Sequence, residues 1–397
     1  MTMTWTPLMC VTAIAITFVI GEYFSRATKG YVSSMVFACF IAMVLFWTGS
    51  VPSDIAASST LLTTLGACGT AFLLVNMGSS IDVESLISEW KTVVVCIVGL
   101  VGLGVLAFTV GTMVFGRDYS LTAAPVVAGG LIAYQIVGDV AVEAGRPELQ
   151  GYAALVMAFQ SMIGMPVASF CLKNELKKQK RDGKLTEEYQ ASKKGLKLPE
   201  TKLFPTVKET NNTSTMKFAK LGIVAVISYM LSTYVVPAIN VNIMYLLMGV
   251  LFRKINFLDK SPLTSAGGYG YVMLCMYALL FNGFATVSLQ DFIGMIAPIF
   301  GMLIIGAIGI AIGSSIAGKI VGYNIFVSIA CGVTALFGYP ATEILSKEVC
   351  ASMDDFTELE KVYALDYVMP KMIVGGFTTV TIASVVFAGI IAPMIFA

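Results

Sequence analysis

Long apolar runs separated by short polar stretches make up most of this chain. They fall at 7–23, 31–48, 59–77, 92–115 and 150–172 in the first half, and at 218–238, 268–289, 292–317 and 369–396 in the second, with a shorter run at 241–252. A helix needs about 20 apolar residues to cross the hydrocarbon of a bilayer. The pattern therefore predicts ten spanning helices, five in each half, and an all-α polytopic membrane protein.

Two further segments are apolar but broken by glycine and polar residues, at 121–143 and 321–343. Backbone that leaves the helix at membrane depth frees amides and carbonyls that lipid cannot satisfy, so such segments survive only inside protein or beside water. Both are expected to be re-entrant hairpins, and Pro340 is expected to break the second at its tip. Ordinary helices with packing glycines are the alternative.

Composition agrees with the pattern. Hydrophobic residues make up 57% of the chain and charged ones 12%, so the solvent is lipid. The net charge of +1 hides an asymmetry, since about half of the 25 Lys and Arg lie in the polar stretch that opens at Lys173 and ends at Lys220. If that stretch is cytoplasmic, both termini lie outside and only Arg117 and Arg146 among the basic loop residues fall on the outer face. A bacterial-type inner membrane suits this layout, and nucleic acid is not an expected partner. No histidine is present, which removes imidazole chemistry. The eight cysteines lack CxxC spacing, so neither a disulfide framework nor a transition-metal site is expected. No protease, hydrolase or P-loop motif appears, and the chain is not expected to be an enzyme or to carry a cofactor. The sequons at Asn211 and Asn212 would be cytoplasmic and unglycosylated.

The halves echo each other. Leu73-Leu74-Val75-Asn76-Met77-Gly78-Ser79-Ser80 resembles Leu279-Leu280-Phe281-Asn282-Gly283-Phe284-Ala285-Thr286, and Gly138-Asp139-Val140-Ala141-Val142-Glu143 lines up with Gly338-Tyr339-Pro340-Ala341-Thr342-Glu343. Five crossings per copy make the copies antiparallel, the inverted repeat of many secondary transporters. The domains would then be residues 1–172, a basic cytoplasmic linker 173–216, and 217–397. Hairpins entering from opposite faces would present half-helix amides to a carboxylate and unwound carbonyls to a cation. Asn76, Ser79, Asn282 and Thr286 supply neutral oxygens for such an ion, with helix capping as the competing role. Asp139 and Glu343 are ion-site candidates because a carboxylate in hydrocarbon needs a cation, a partner or water. Tyr134, Gln135, Gly138, Thr334, Gly338, Tyr339 and Thr342 are expected around the substrate. Asp366 and Lys371 read as an interfacial pair, with the lysine snorkelling to water.

With these features the chain resembles the sodium/glutamate symporter family. The resemblance rests on two halves of five spans and one hairpin, the basic centre, Leu74 to Ser80, Cys331-Gly332 with Gly338 to Thr342, and the ending Ala392-Pro393-Met394-Ile395-Phe396-Ala397. It implies a homodimeric, sodium-coupled symporter of a small organic anion or amino acid such as glutamate, moving a hairpin-bearing domain by elevator-type alternating access. A proton-coupled carrier or exporter of the same fold, or a channel, stands as the alternative.

Overall fold

A computed structural model describes residues 5–28, 32–81, 83–185, 204, 212–237, 239–339 and 341–395. Pro340, Asn211 and most of the linker 173–216 lie outside the described residues. Among the described residues every regular element is a helix. Among the described residues six helices are long and apolar enough to cross a membrane, namely Pro7–Ala27, Trp90–Phe115, Pro147–Arg181, Ser214–Val235, Leu289–Val321 and Glu358–Met394. The chain is an integral membrane protein on that count. Three shorter apolar helices accompany them at Ser34–Trp47, Tyr269–Ala285 and Ile325–Leu336.

Local chemistry sets the ends. Thr6 caps Pro7–Ala27 through the Met9 amide, and proline stands at the first turn, where its missing N–H costs nothing. Glu358–Phe377 opens with a capping box, Thr357 and Glu360 each bonding the other's backbone amide. The helix containing the run 150–172 does not stop at the basic stretch but continues to Arg181, 35 residues in all. The run 59–77 is interrupted by a π turn at Leu65–Gly69, and only Thr70–Ser80 continues as α-helix.

The chain forms two compact units, and neither is a sequence half. One comprises 1–83, 141–154 and 198–293; the other comprises 84–140, 155–197 and 294–397. In the first unit, Pro7–Ala27 pairs with Ser34–Trp47, and Thr70–Ser80 packs along Val241–Lys254. Phe18 stacks on Tyr277 with ring centroids 4.2 Å apart.

The second unit holds the second interrupted segment and the first as far as Val140. The first runs as Arg117–Val127, breaks at 128–130, and resumes as Leu131–Glu143. The second runs as Ile325–Gly332, tightens to a 3₁₀ turn at Val333–Leu336, breaks, and resumes as Ala341–Ala351. The 33-residue helix Leu289–Val321 serves as a ruler for both. Met302 meets Gly111, just before the first segment, and Val127 at the end of its leading half meets Gly306. From the other end, Ser328 meets Gly318 and Gly332 meets Ser314. The two leading halves thus run toward each other along the ruler. Both ends of the second segment lie near the C-terminal end of the 35-residue helix, since Asn324 bonds Glu175 and the Asp355 carbonyl accepts from Lys180. The first segment's trailing half is joined by three residues to the opposite, N-terminal end of that same helix.

Candidate functional site

Where the leading halves stop, their backbones touch. Gly129 and Gly130 take φ of +115° and +92°, and Gly338 takes +59°, conformations that a side chain rarely adopts. A Cβ on Gly129 would lie 2.6 Å from the Ala335 carbonyl oxygen, so the first break sits directly on the second. Val380 closes the group: a Cβ on Gly130 would come within 2.9 Å of its carbonyl, and one on Gly338 within 2.7 Å of its Cγ2. Val380 belongs to a π turn, Thr378–Ala383, in the last long helix, a local widening of the kind often found at functional sites.

Hydroxyls surround this junction. Thr334 donates to the Cys331 carbonyl at 2.6 Å and lies 3.4 Å from the Thr379 hydroxyl. Thr342, wholly buried, packs its side chain against Gly376, yet among the described residues its Oγ1 makes no hydrogen bond, and the same holds for Thr378 Oγ1. Buried hydroxyls of this kind cost free energy unless something accepts or donates to them.

At the mouth of the second segment two carboxylates form a polar network. Glu89 receives the Lys371 ammonium at 3.4 Å, the Tyr323 hydroxyl at 3.1 Å and the Thr92 hydroxyl at 3.3 Å. Glu175, wholly buried, accepts from Gln179 at 2.6 Å, Tyr367 at 2.9 Å and Asn324 at 2.6 Å. Lys371 also stands 4.4 Å from the centroid of the Tyr367 ring, a cation–π contact. All of these groups but Thr92 line a cavity of about 1460 Å³ whose walls include Lys91, Lys178 and Lys319.

The expected site residues are placed as follows. Asn76 is buried in the first unit, where its Oδ1 accepts the Leu263 amide at 2.9 Å, and Ser79 donates to the Asn76 carbonyl. Asn282 reaches Gln150 at 3.3 Å, and Thr286 donates to the carbonyls of Gly283 and Pro147. Asn76, Asn282 and Thr286 tie elements together within that unit, whereas the Ser79 bond stays inside Thr70–Ser80. In the second unit Tyr134 and Gly138 are buried, Gln135 is half-buried, and Asp139 stands exposed on Leu131–Glu143. Glu343 is ion-paired with Lys347 at 2.7 Å. Tyr339 is exposed and stacks on Phe377 at 5.0 Å. Thr334, Gly338 and Thr342 are the expected residues brought to the junction. Lys371 does not extend into solvent: its side chain is 7% exposed, and its ion pair among the described residues is with Glu89.

Glu89, Glu175, Tyr323, Asn324 and Tyr367 were not singled out from the sequence. Glu175 lies among Lys173, Asn174, Lys177 and Lys178, a context that reads as a solvated face. Its helical spacing was the available signal, because Leu172, Glu175, Leu176 and Gln179 share the buried stripe.

No protein-family model matches the chain, and no curated protein does. Among solved structures, the sodium proton antiporter MjNhaP1 from Methanocaldococcus jannaschii, at pH 8, is similar at 15% identity over 98% of this chain and 99% of that one, with a TM-score of 0.41. The expected membership in the sodium/glutamate symporter family is overturned, since no family model matches the chain. The strings that carried it, Leu74 to Ser80 and Cys331 to Thr342, are short and built from small and apolar residues that unrelated helix bundles also use.

Proposed function

We propose that this protein is a cation-coupled secondary transporter of a small anionic or zwitterionic solute. One observation carries the reading, the contact between two interrupted helical segments that approach from opposite ends of Leu289–Val321. Broken helices at membrane depth are stable only where they enclose a polar path, and paired half-helix ends are the usual seat of substrate and coupling ion. In this reading both segments are re-entrant, ten helices cross the membrane in two inverted repeats, and Thr334, Gly338 and Thr342 line the passage.

Charge supports the substrate class. The cavity wall carries Lys91, Lys178, Lys184, Lys319 and Lys371 against Glu89, Glu175 and Asp182. An excess of cations in a low-dielectric recess concentrates anions. The basic end of the molecule is the cytoplasmic one by the positive-inside rule.

Proteoliposomes test the proposal. Vesicles preloaded with unlabelled amino acids or dicarboxylates should accelerate uptake of the labelled solute, and an inward sodium or proton gradient should drive it above equilibrium. A flux that is insensitive to preloading would mean a pore, and an absence of saturable uptake across the panel would end the carrier reading.

A further inference from the structure

The polar cavity holds more cation than its own carboxylates neutralise. Its wall carries five lysines and three carboxylates. Lys371 is paired with Glu89 at 3.4 Å, Lys184 stands 3.9 Å from Asp182, and Glu175 is held by neutral donors. Lys91, Lys178 and Lys319 make no ion pair or side-chain hydrogen bond among the described residues. Three ammonium groups thus face one recess without a partner of opposite charge.

An apolar groove runs into that recess. Trp90–Leu106 and Leu289–Val321 cross in close contact: Gly99 meets Ser314 and Gly102 meets Gly309, so the pair is antiparallel. Ile97, Val101 and Val105 are exposed on the first helix, and Ile308, Ile312 and Ile316 on the second. Val101 precedes the contact residue Gly102, just as Ile308 precedes Gly309 and Ile312 precedes Gly313. One residue is a rotation of about 100°. In an antiparallel pair, the same rotation on each helix carries both stripes to the same side of the crossing, where they wall a groove. Trp90 continues the first stripe and Ile316 belongs to the second; both are exposed and both stand in the cavity wall with Lys91 and Lys319.

We propose that the groove and recess form a binding site for an anionic phospholipid, its phosphate held by Lys91, Lys319 and Lys178 and an acyl chain lying along the groove. Basic recesses between membrane helices suit anionic headgroups, and tryptophan is at home at headgroup level. A soluble anion would use the lysines and leave the groove idle. A zwitterionic lipid would use the groove and gain little from the lysines. The site goes beyond the carrier reading and stands without it.

The test is native mass spectrometry and thermal unfolding of the purified full-length protein in detergent, with dioleoyl phosphatidylglycerol as probe and dioleoyl phosphatidylcholine as reference. The wild type should bind phosphatidylglycerol saturably and about tenfold or more tighter than phosphatidylcholine, a preference that two lysines beside an anionic headgroup are enough to produce. Lys91→Gln with Lys319→Gln should abolish the preference. Lys319→Gln alone, at an exposed position, should lower it severalfold if the pair fails to fold. Lys173→Gln with Lys177→Gln, equal in charge but outside the cavity wall, should keep it. Ile312→Ser should weaken both lipids severalfold. Equal binding of the two lipids by the wild type overturns the site, and so does an equal loss from the two lysine pairs. Displacement of the lipid by inorganic phosphate at the same concentration would assign the lysines to a soluble anion and overturn it as well.

Discussion

Replacing Gly129 by alanine probes the contact on which the transport reading depends. Two costs add at this residue. At φ +115° the added Cβ enters a region that L-residues avoid, a penalty of about 1–3 kcal/mol. The same carbon would lie 2.6 Å from the Ala335 oxygen and 2.9 Å from Val380 Cγ2, and forcing a methyl into packed surroundings costs about 1–3 kcal/mol more. The sum, about 2–6 kcal/mol, is a large fraction of a typical stability of about 5–15 kcal/mol.

Gly145 supplies the control. It has φ +73° but nothing within 4 Å of an added Cβ, so Gly145→Ala incurs the conformational cost alone. Thermal unfolding in detergent, followed by tryptophan fluorescence, should rank wild type above Gly145→Ala and Gly145→Ala above Gly129→Ala. Counterflow by Gly129→Ala, measured where the variant remains folded, should fall because the two breaks must separate to admit the methyl. If Gly129→Ala and Gly145→Ala unfold together, the two segments are not in contact at that residue and the reasoning fails.

Lys371→Met should destabilise the protein by about 3 kcal/mol, the cost of leaving a largely buried partner charge without its cation. Adding Glu89→Gln should recover part of that loss, and a double-mutant cycle with no coupling between the two would refute the ion pair. Asn324→Ala removes a helix cap worth about 1 kcal/mol and a donor to a buried carboxylate worth about 1–3 kcal/mol more. Its loss in chemical denaturation should exceed that of Thr213→Ala, which removes only the cap on the Met216 amide. Equal losses would mean that the Asn324 bond to Glu175 contributes nothing.

The parts of the fold legible in the sequence were those governed by length and by breaks. An apolar run of span length has one common solution in lipid, and glycine with polar residues inside such a run has few, so the breaks at 128–130 and 337–339 could be expected from Gly129-Gly130 and Gly338. The details of the site were less legible, because burial is a tertiary property. Glu175 sits in a charged string that looks solvated, and the structure buries it wholly. Asn76 and Asn282 recur in the two halves, but each spends its side chain on holding neighbouring backbone or side chains within the first unit. Recurrence alone does not distinguish a ligand from a brace.

The last long helix explains how three irregular pieces of backbone can meet in an apolar setting. A π turn shifts the helical hydrogen-bond register and leaves carbonyls poorly served. Here the side chains of the turn and its flank serve them: Thr379 donates to the Gly375 carbonyl at 2.8 Å, Thr381 to Phe377, and Ser384 to Val380 at 2.6 Å. Thr334 does the same for Cys331 as the second segment tightens into its 3₁₀ turn. Hydroxyls one turn along the chain thus take over carbonyls that water would otherwise have to reach. Thr342 and Thr378 differ, since their hydroxyl oxygens are buried beside the junction and bonded to nothing within it. Two threonine oxygens beside the junction are thus left unspent among the described residues, bonding capacity that a solute or ion in the proposed passage would use.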